Sequence, residues 1–471
     1  MPKRAIVIGT AECCGRLERQ LDLMDDRPVS LGWVVSGGRE PTGPDPVLGT
    51  LGELDAIVAR TRPDLALVTF PAVMDRLVTA TRTRLRRLGV AERFMPTLED
   101  QVAGVGPRSR LEIDPGALLN RAPRHIDRQA VRRVIAGRRV LITGAGGSIG
   151  SELARIVSRY DAAELILVER SENALFEIDR QIARSAPELV RTALLHDVVD
   201  AAATLEHFRR LRPQVIFHAA AHKHVPMMED HPAAAVDNNF FGTKAVADAA
   251  HATAAERLVL ISTDKAVNPS SIMGATKRLA ELYVQHLNQR SVTGFSVVRF
   301  GNVIGSTGSV LDVWLRELAE GGPLTVTDPR MTRYFMTIPE AASLVIQSAA
   351  LVDPRTRASC VFVLDMGVPI RIVDLARRLI ALHGYGPETI GIAFTGARPG
   401  EKLHEQLAYD TEAIRPTAHP DIQVWEQPAP DPLFIERTVN ELSPRRRGPQ
   451  AKLVAETVRR LVTPPHVTAA A

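Results

Sequence analysis

Residues 139–157 confine this chain to a narrow choice of folds. A short apolar run, Arg139-Val-Leu-Ile142, leads into Thr143-Gly144-Ala145-Gly146-Gly147-Ser148-Ile149-Gly150, and Ser151-Glu-Leu-Ala-Arg-Ile-Val157 follows with helical periodicity. The first run reads as a buried strand. Glycines at 144, 147 and 150 let backbone approach a pyrophosphate, and the positive end of the following helix faces the same charge. A glycine pattern alone is weak; a strand before it and a helix after it make it strong. The expectation is an α/β protein, a doubly wound parallel sheet with a dinucleotide at its strand ends. Gly144, Gly147, Ser148, Ile149 and Gly150 are the residues expected against the pyrophosphate.

A second apolar run, Glu164-Leu-Ile-Leu-Val168, ends in Glu169-Arg170. A carboxylate about 20 to 25 residues after the glycines accepts hydrogen bonds from ribose hydroxyls and disfavours a 2′-phosphate. Arg170 pulls the other way, since a guanidinium pairs with that phosphate. The acid comes first at the strand end, so NAD is expected, and Arg170 keeps NADP open as the alternative. His196-Asp197-Val198 places Asp197 and Val198 on the adenine side. In the segment 217–226, Ala219, Ala220 and Ala221 are small enough for backbone to lie against the cofactor, with Lys223 just beyond. Asn238-Asn239 opens a helical run, and Asn239 completes the expected cofactor set. His218, His222 and His224 do not predict a metal, because 222 and 224 have strand or loop spacing and no Cys or carboxylate cluster joins them.

Residues 262–277 read Ser-Thr-Asp-Lys-Ala-Val-Asn-Pro-Ser-Ser-Ile-Met-Gly-Ala-Thr-Lys. This resembles the active-site segment of the extended short-chain dehydrogenase/reductases, which place Tyr four residues before Lys. Here Met273 precedes Lys277, and a thioether has no proton to give. An adjacent acid and amine, Asp264 and Lys265, stand just upstream. Together with TGAGGSIGSE (143–152), HAAAHKHVP (218–226), RFGNVIGSTGSV (299–310), DPRMTRYF (328–335) and RPGEKLHE (398–405), the stretch from about 137 to 410 resembles the nucleotide-sugar 4,6-dehydratases of the polysaccharide-biosynthesis family. Longer members of that family also carry Met in place of Tyr, and their best-known substrate is UDP-N-acetylglucosamine.

The resemblance implies a reaction with no net redox. Hydride leaves carbon 4 of the hexose, water is eliminated across carbons 5 and 6, and hydride returns to carbon 6. It implies Asp264 as the acid at carbon 6 and Lys265, as free amine, the base at carbon 5. Lys277 would hold the nicotinamide ribose, and Thr263 with Asp264 would relay the first proton in place of the missing phenol. Arg299, Asn302, Arg333, Arg398 and Glu401 match the family segments expected at the nucleotide end, where arginines suit bidentate pyrophosphate contact. The competing readings are a redox-neutral UDP-sugar epimerase and a non-catalytic nucleotide-sensing protein.

Length and composition agree with an intracellular enzyme. The 471 residues suggest two or three domains, 45% apolar content fills large cores, and a net charge of +4 implies no nucleic-acid partner. Cys13, Cys14 and Cys360 make no disulfide framework, which fits a reducing cytosol; the vicinal pair is expected to fill a βα turn. No signal-peptide pattern and no run of roughly 18 apolar residues is read in the residues given, so neither a leader nor a membrane span is expected within them. Long members of the resembled family begin with membrane helices, so the expectation is a cytoplasmic protein or the soluble part of an anchored one, assembled as a homo-oligomer. Residues 1–105 read as a Rossmann-like accessory domain without its own cofactor, with strands at Ala5–Ile8, Leu31–Val35, Leu65–Phe70 and Phe94–Met95. Its Ile8-Gly9-Thr10-Ala11 turn lacks the full glycine set. Residues 106–137 form a connector, either a plain linker or a strap on the second domain, with a helical run from Asp127. Residues 138–430 hold the catalytic domain, with a smaller sugar-nucleotide lobe from about 302. Residues 431–471 supply a helix at Gln450–Leu461 and a disordered tail, and Arg445-Arg446-Arg447 reads as solvated surface.

Overall fold

The computed structural model describes residues 3–22, 27–37, 46–71, 74–95, 97, 115–119, 126–352, 359–383, 385, 390–409, 414–427, 430–446 and 450–463. The chain divides into two compact units, one of residues 1–114 with 378–390, the other of 115–377 with 391–471.

In the first unit, five strands alternate with helices: β1 (Arg4–Gly9), β2 (Val29–Val35), β3 (Val47–Thr50), β4 (Leu65–Thr69) and β5 (Ala91–Phe94). They form one parallel sheet in the order β3-β2-β1-β4-β5. Helices cover both faces, so alternate residues of one strand enter different cores. Ile6 and Ile8 of β1 join Leu54, Ile57 and Val68, while Ala5 and Val7 join Cys14, Leu17 and Trp33. The Trp33 indole donates to buried Glu18 at 2.7 Å. Strand β3 was not legible in the sequence: it is four residues long, lies at the sheet edge and contains Gly49 at φ +147°. Cys13 and Cys14 fill the first turn of the helix Ala11–Leu21 rather than the turn before it, and burial pushes the Cys14 thiol up to about 12. Residues 378–390, placed by sequence within 138–430, group with this unit, where Arg86 donates to the His383 carbonyl and stacks on Tyr385.

The second unit is built, among the described residues, on one sheet of nine strands. Six come first in sequence: β6 (Arg139–Thr143), β7 (Glu164–Glu169), β8 (Arg191–Leu195), β9 (Val215–His218), β10 (Arg257–Ile261) and β11 (Gly294–Arg299). Ser359–Leu364 continues the parallel series in the order β8-β7-β6-β9-β10-β11-(359–364). Two antiparallel strands, Ile422–Gln427 and Ile414–Pro416, close that edge. Strand order reverses between β6 and β9, which opens a crevice at the carboxyl ends where ligands bind in such sheets. Three short two-stranded ribbons (302–304 with 335–337, 332–333 with 370–371, and 324–326 with 392–394) form the smaller lobe.

The connector behaves as a strap over its described part. Asp127 caps the helix Arg128–Ile135 by accepting from the Gln129 and Ala130 amides, its own amide donates to Gln347, and Val131, Val134 and Ile135 enter the sheet's core. Residues 106–114 and 120–125 lie outside the described residues. The carboxyl-terminal helix, Ala451–Val462, falls within a residue of its expected bounds. Arg446 corrects the solvated reading of residues 445–447. Its guanidinium pairs with Asp237 at 2.5 Å, bonds the Val199 carbonyl and covers the Phe241 ring. Arg447 and the expected tail beyond 463 lie outside the described residues. Among the described residues, no helix is long and apolar enough to cross a membrane.

Candidate active site

The glycine loop is shaped by contacts that no side chain would tolerate. Gly144 sits at φ +64°, and a Cβ on it would lie 2.8 Å from the Ala220 amide nitrogen. A Cβ on Gly150 would meet the Gly144 carbonyl at 2.0 Å. Gly147 caps the helix Ser148–Val157 with no side chain on its first amides, which leaves those donors for an anion. Ile149 packs against the core, while Ser148 accepts from the Thr307 amide at 3.1 Å.

Beside this loop lies a pocket of about 180 Å³, walled by Gly144 and Gly147, by Val168 to Arg170, by His196 to Val198 and by Ala219 to His222. Its size, glycine floor and acidic rim suit the adenosine half of a dinucleotide. Glu169 is anchored at the rim by the amides of Gly146 (3.1 Å), Arg170 (2.9 Å) and Ser171 (3.1 Å). Arg170 spans the pocket mouth, bonding His222 Nε2 at 2.5 Å and Asn238 at 3.4 Å, with Asp197 at 3.9 Å. Burial, then the Arg170 charge, holds His222 below its usual range, so it accepts from the guanidinium as a neutral ring. Asn239 is fully buried and stands behind the pocket wall rather than in it. It brackets His222, accepting from its amide at 2.8 Å and donating to its carbonyl at 3.1 Å, and so fixes the 219–222 loop. Lys223 donates to Ser306 and to the Thr307 carbonyl, tying the 305–308 turn down over the glycine loop. His218 is structural: it bridges Thr143 and Thr243, and burial drops its pKa to about 3. Among the described residues, no group of His, Cys, Asp and Glu could hold a metal ion.

The chemistry-bearing cluster sits where β10 ends. Asp264 opens a short 3₁₀ turn, and its amide donates to the Phe300 carbonyl, which ties the turn to the end of β11. Its carboxylate is completely buried. Oδ1 accepts from Thr263 Oγ1 at 2.8 Å and from Lys265 Nζ at 3.0 Å. Oδ2 has no hydrogen-bond partner among the described residues and faces Gly301, whose missing side chain leaves it room. Lys265 also donates to Asn302 at 3.0 Å, so Asn302 belongs to this cluster rather than to the nucleotide end. On the helix Ile272–Asn288, Met273 is buried in the core and Lys277 donates to the Ile261 carbonyl at 2.6 Å. Burial lowers Lys277 from 10.5 to about 8, against a smaller opposing pull from Glu281.

Two more of the expected nucleotide contacts are corrected by the fold. Arg299 is fully buried, its guanidinium on both oxygens of Glu281 at 2.9 and 2.8 Å and over the rings of Tyr409 and Trp425. Burial alone would raise the Glu281 carboxyl, but Arg299 overcomes it and holds it at about 2. Arg333 is also turned inward and clasps the carbonyls of Thr332, Lys402 and Leu403. Arg398 stays open to solvent and pairs with Glu401 at 2.7 Å. Lys402 donates to the Val267 carbonyl, and burial lowers its pKa. Glu405, four residues beyond Glu401, lies in the cluster and was not singled out.

Residues 140–427 match the model of a family described as polysaccharide biosynthesis protein. The chain is 40% identical over 427 residues to a probable polysaccharide biosynthesis protein EpsC of Bacillus subtilis (strain 168), covering 90% of this chain and 70% of that one. It is 31% identical over 274 residues to a UDP-N-acetylglucosamine 4,6-dehydratase (inverting) of Campylobacter jejuni, covering 57% of this chain and 77% of the relative. Among solved structures it is similar to Pen from Bacillus thuringiensis, with a TM-score of 0.57, 30% identity and coverage of 63% and 91% of the two chains.

Proposed function

Because the chain belongs to the family of polysaccharide biosynthesis proteins, we propose that it is a nucleotide-sugar 4,6-dehydratase acting on UDP-N-acetylglucosamine and that its product feeds a surface polysaccharide. The observation that carries the reading is the contact of Asp264 with Lys265, a carboxylate and an amine 3.0 Å apart at a strand's carboxyl end, with the carboxylate's second oxygen unpaired. A surface ion pair would spend both oxygens on water; here one is buried and free for a substrate hydroxyl.

The glycine loop, Glu169, Ala219 to Ala221 and Lys277 would hold a nicotinamide dinucleotide, whose chemistry when bound would be to store the hydride from carbon 4 of the sugar until carbon 6 can take it. Glu169 favours NAD over NADP, since its carboxylate is fixed at the rim where a 2′-phosphate would stand. The protein's own residues move protons. A proton passes within the 3.0 Å contact from Lys265 to Asp264, leaving a free amine beside a carboxylic acid. The ketone at carbon 4 acidifies the carbon-5 proton. Lys265 takes it as the C5–H bond breaks, its electron pair forms the C5–C6 double bond, and the C6–O bond breaks with a proton from Asp264 to release water. Thr263, bonded to Asp264, supplies the path by which the carbon-4 hydroxyl proton leaves for solvent before Lys265 and Asp264 exchange theirs, a role that a thioether at 273 cannot take. Lys265 gives its proton back to carbon 5 as hydride reaches carbon 6. Arg398 and Glu401 remain as candidates for the nucleotide end of the sugar.

Incubation of the protein with UDP-N-acetylglucosamine, read by mass spectrometry, tests the assignment. Loss of one water is expected. A product of unchanged mass would instead be an epimer, and no conversion would leave a nucleotide-binding protein.

A further inference from the structure

Lys265 faces a second buried carboxylate. Glu405 comes from the segment 398–405, distant in sequence, and its side chain is 3% exposed. Its Oε1 lies 3.9 Å from Lys265 Nζ and 4.0 Å from Arg333, and its Oε2 lies 3.7 Å from Lys402. All three distances exceed the roughly 2.7–2.9 Å of a closed charged hydrogen bond. Oε2 has no hydrogen-bond partner among the described residues. The flanking cations do not depend on it: Arg333 donates to the carbonyls of Thr332, Lys402 and Leu403, and Lys402 donates to that of Val267. Its three ion pairs, to Lys265, Arg333 and Lys402, are all long. Glu405 is instead held between two fixed cations, with lone pairs to spare, beside the amine of the cluster.

At 3.0 Å, Lys265 Nζ is committed to Oδ1 of Asp264. Elimination parts them, because the acid must face the carbon-6 hydroxyl and the amine the carbon-5 hydrogen. As Lys265 takes that proton it becomes an ammonium whose nearer anion is occupied elsewhere. We infer that Glu405 is a positioning residue for this step, the anion that closes on Lys265 as its charge develops. The inference rests on the dehydratase reading above. It assigns to the step a carboxylate that neither gains nor loses a proton: the C5–H proton goes to Lys265, the Asp264 proton leaves with the hydroxyl, and Glu405 supplies charge and direction.

The test compares the full-length wild type, Glu405→Gln and Glu405→Asp with UDP-N-acetylglucosamine in deuterated water. Oxidation at carbon 4, deuterium entry at carbon 5 and loss of water are followed separately. In Glu405→Gln, oxidation at carbon 4 and KM should stay near wild type, while deuterium entry and kcat fall about 10- to 100-fold. Glu405→Asp should recover part of that loss. Equal losses at carbons 4 and 5 would mean that Glu405 only holds the lobe together and would overturn the inference, as would wild-type exchange in Glu405→Gln. Should Glu405→Gln fail to fold, as judged by circular dichroism, Glu405→Asp decides by the same split. A wild type that yields an isomer of unchanged mass overturns the parent reading and this inference together, whereas wild-type dehydration with unimpaired Glu405→Gln overturns this inference alone.

Discussion

Asp264→Asn separates proton donation from every other task of that residue. The amide keeps the volume of the carboxyl and an oxygen to accept from Thr263 Oγ1 and Lys265 Nζ, now 2.8 and 3.0 Å away. Removing a buried charge from its partner often costs about 3–5 kcal/mol. Here the cost should fall below about 3 kcal/mol, because Lys265 keeps Asn302 at 3.0 Å and has Glu405 within 3.9 Å. The variant should therefore fold. Its chemistry should not survive, since an amide releases no proton to a departing hydroxyl. Loss of one general acid typically removes about 10²–10⁴ in rate, or roughly 3–5 kcal/mol of barrier. The assay is a rate of water loss by mass spectrometry, with circular dichroism and a thermal melt on the same preparation. Turnover within a few-fold of wild type, in a protein shown to be folded, would refute the acid assignment.

Further outcomes follow from the same geometry. Met273→Ala should cost about 2–5 kcal/mol of stability, measured by denaturant titration, with only a modest loss of activity well below the melting range. Met273→Tyr should not raise turnover, and a gain of about 100-fold or more would show that position 273 limits proton transfer. Purified protein should release NAD(H) on denaturation, seen by chromatography, and Gly150→Ala should release little, because its Cβ would stand 2.0 Å from the Gly144 carbonyl; release of only the 2′-phosphorylated form would show that Arg170 outweighs Glu169. Lys277 titrates near 8 folded against 10.5 as a free side chain, so between those values the unfolded chain binds the extra proton and stability rises with pH. Against a Lys277→Met control, the wild type should gain stability from pH 8 to pH 10.5 in denaturant titrations, and parallel curves would count against a desolvated amine.

What the sequence disclosed followed from local physics. A glycine that must pass a carbonyl, a helix amide without a cap and a carboxylate at a strand end are constraints of neighbouring residues, so Gly144, Gly150 and Glu169 could be placed from the chain alone. The failures around the site are long-range. Arg299 was assigned to a phosphate because its partner, Glu281, stands on another element, and only packing shows the pair closed. Arg446 looked like one of a solvated run, yet Asp237, 209 residues earlier, receives it. Glu405 sits one residue past His404 in an ordinary polar stretch, and only the fold brings it to Lys265. Asn239 was marked as a cofactor contact, whereas it holds the 219–222 loop from behind rather than lining the pocket. A polar residue's type shows what it can bond; which bond is already spent is settled by tertiary structure.

The central claim is an internal hydride transfer joined to elimination by Asp264 and Lys265. Its most direct test is UDP-N-acetylglucosamine carrying deuterium at carbon 4, with the product read by proton and deuterium NMR. The label should leave carbon 4 and appear in the methyl group at carbon 6 of a product lighter by one water. Label returned to carbon 4 of a product of unchanged mass would contradict the account.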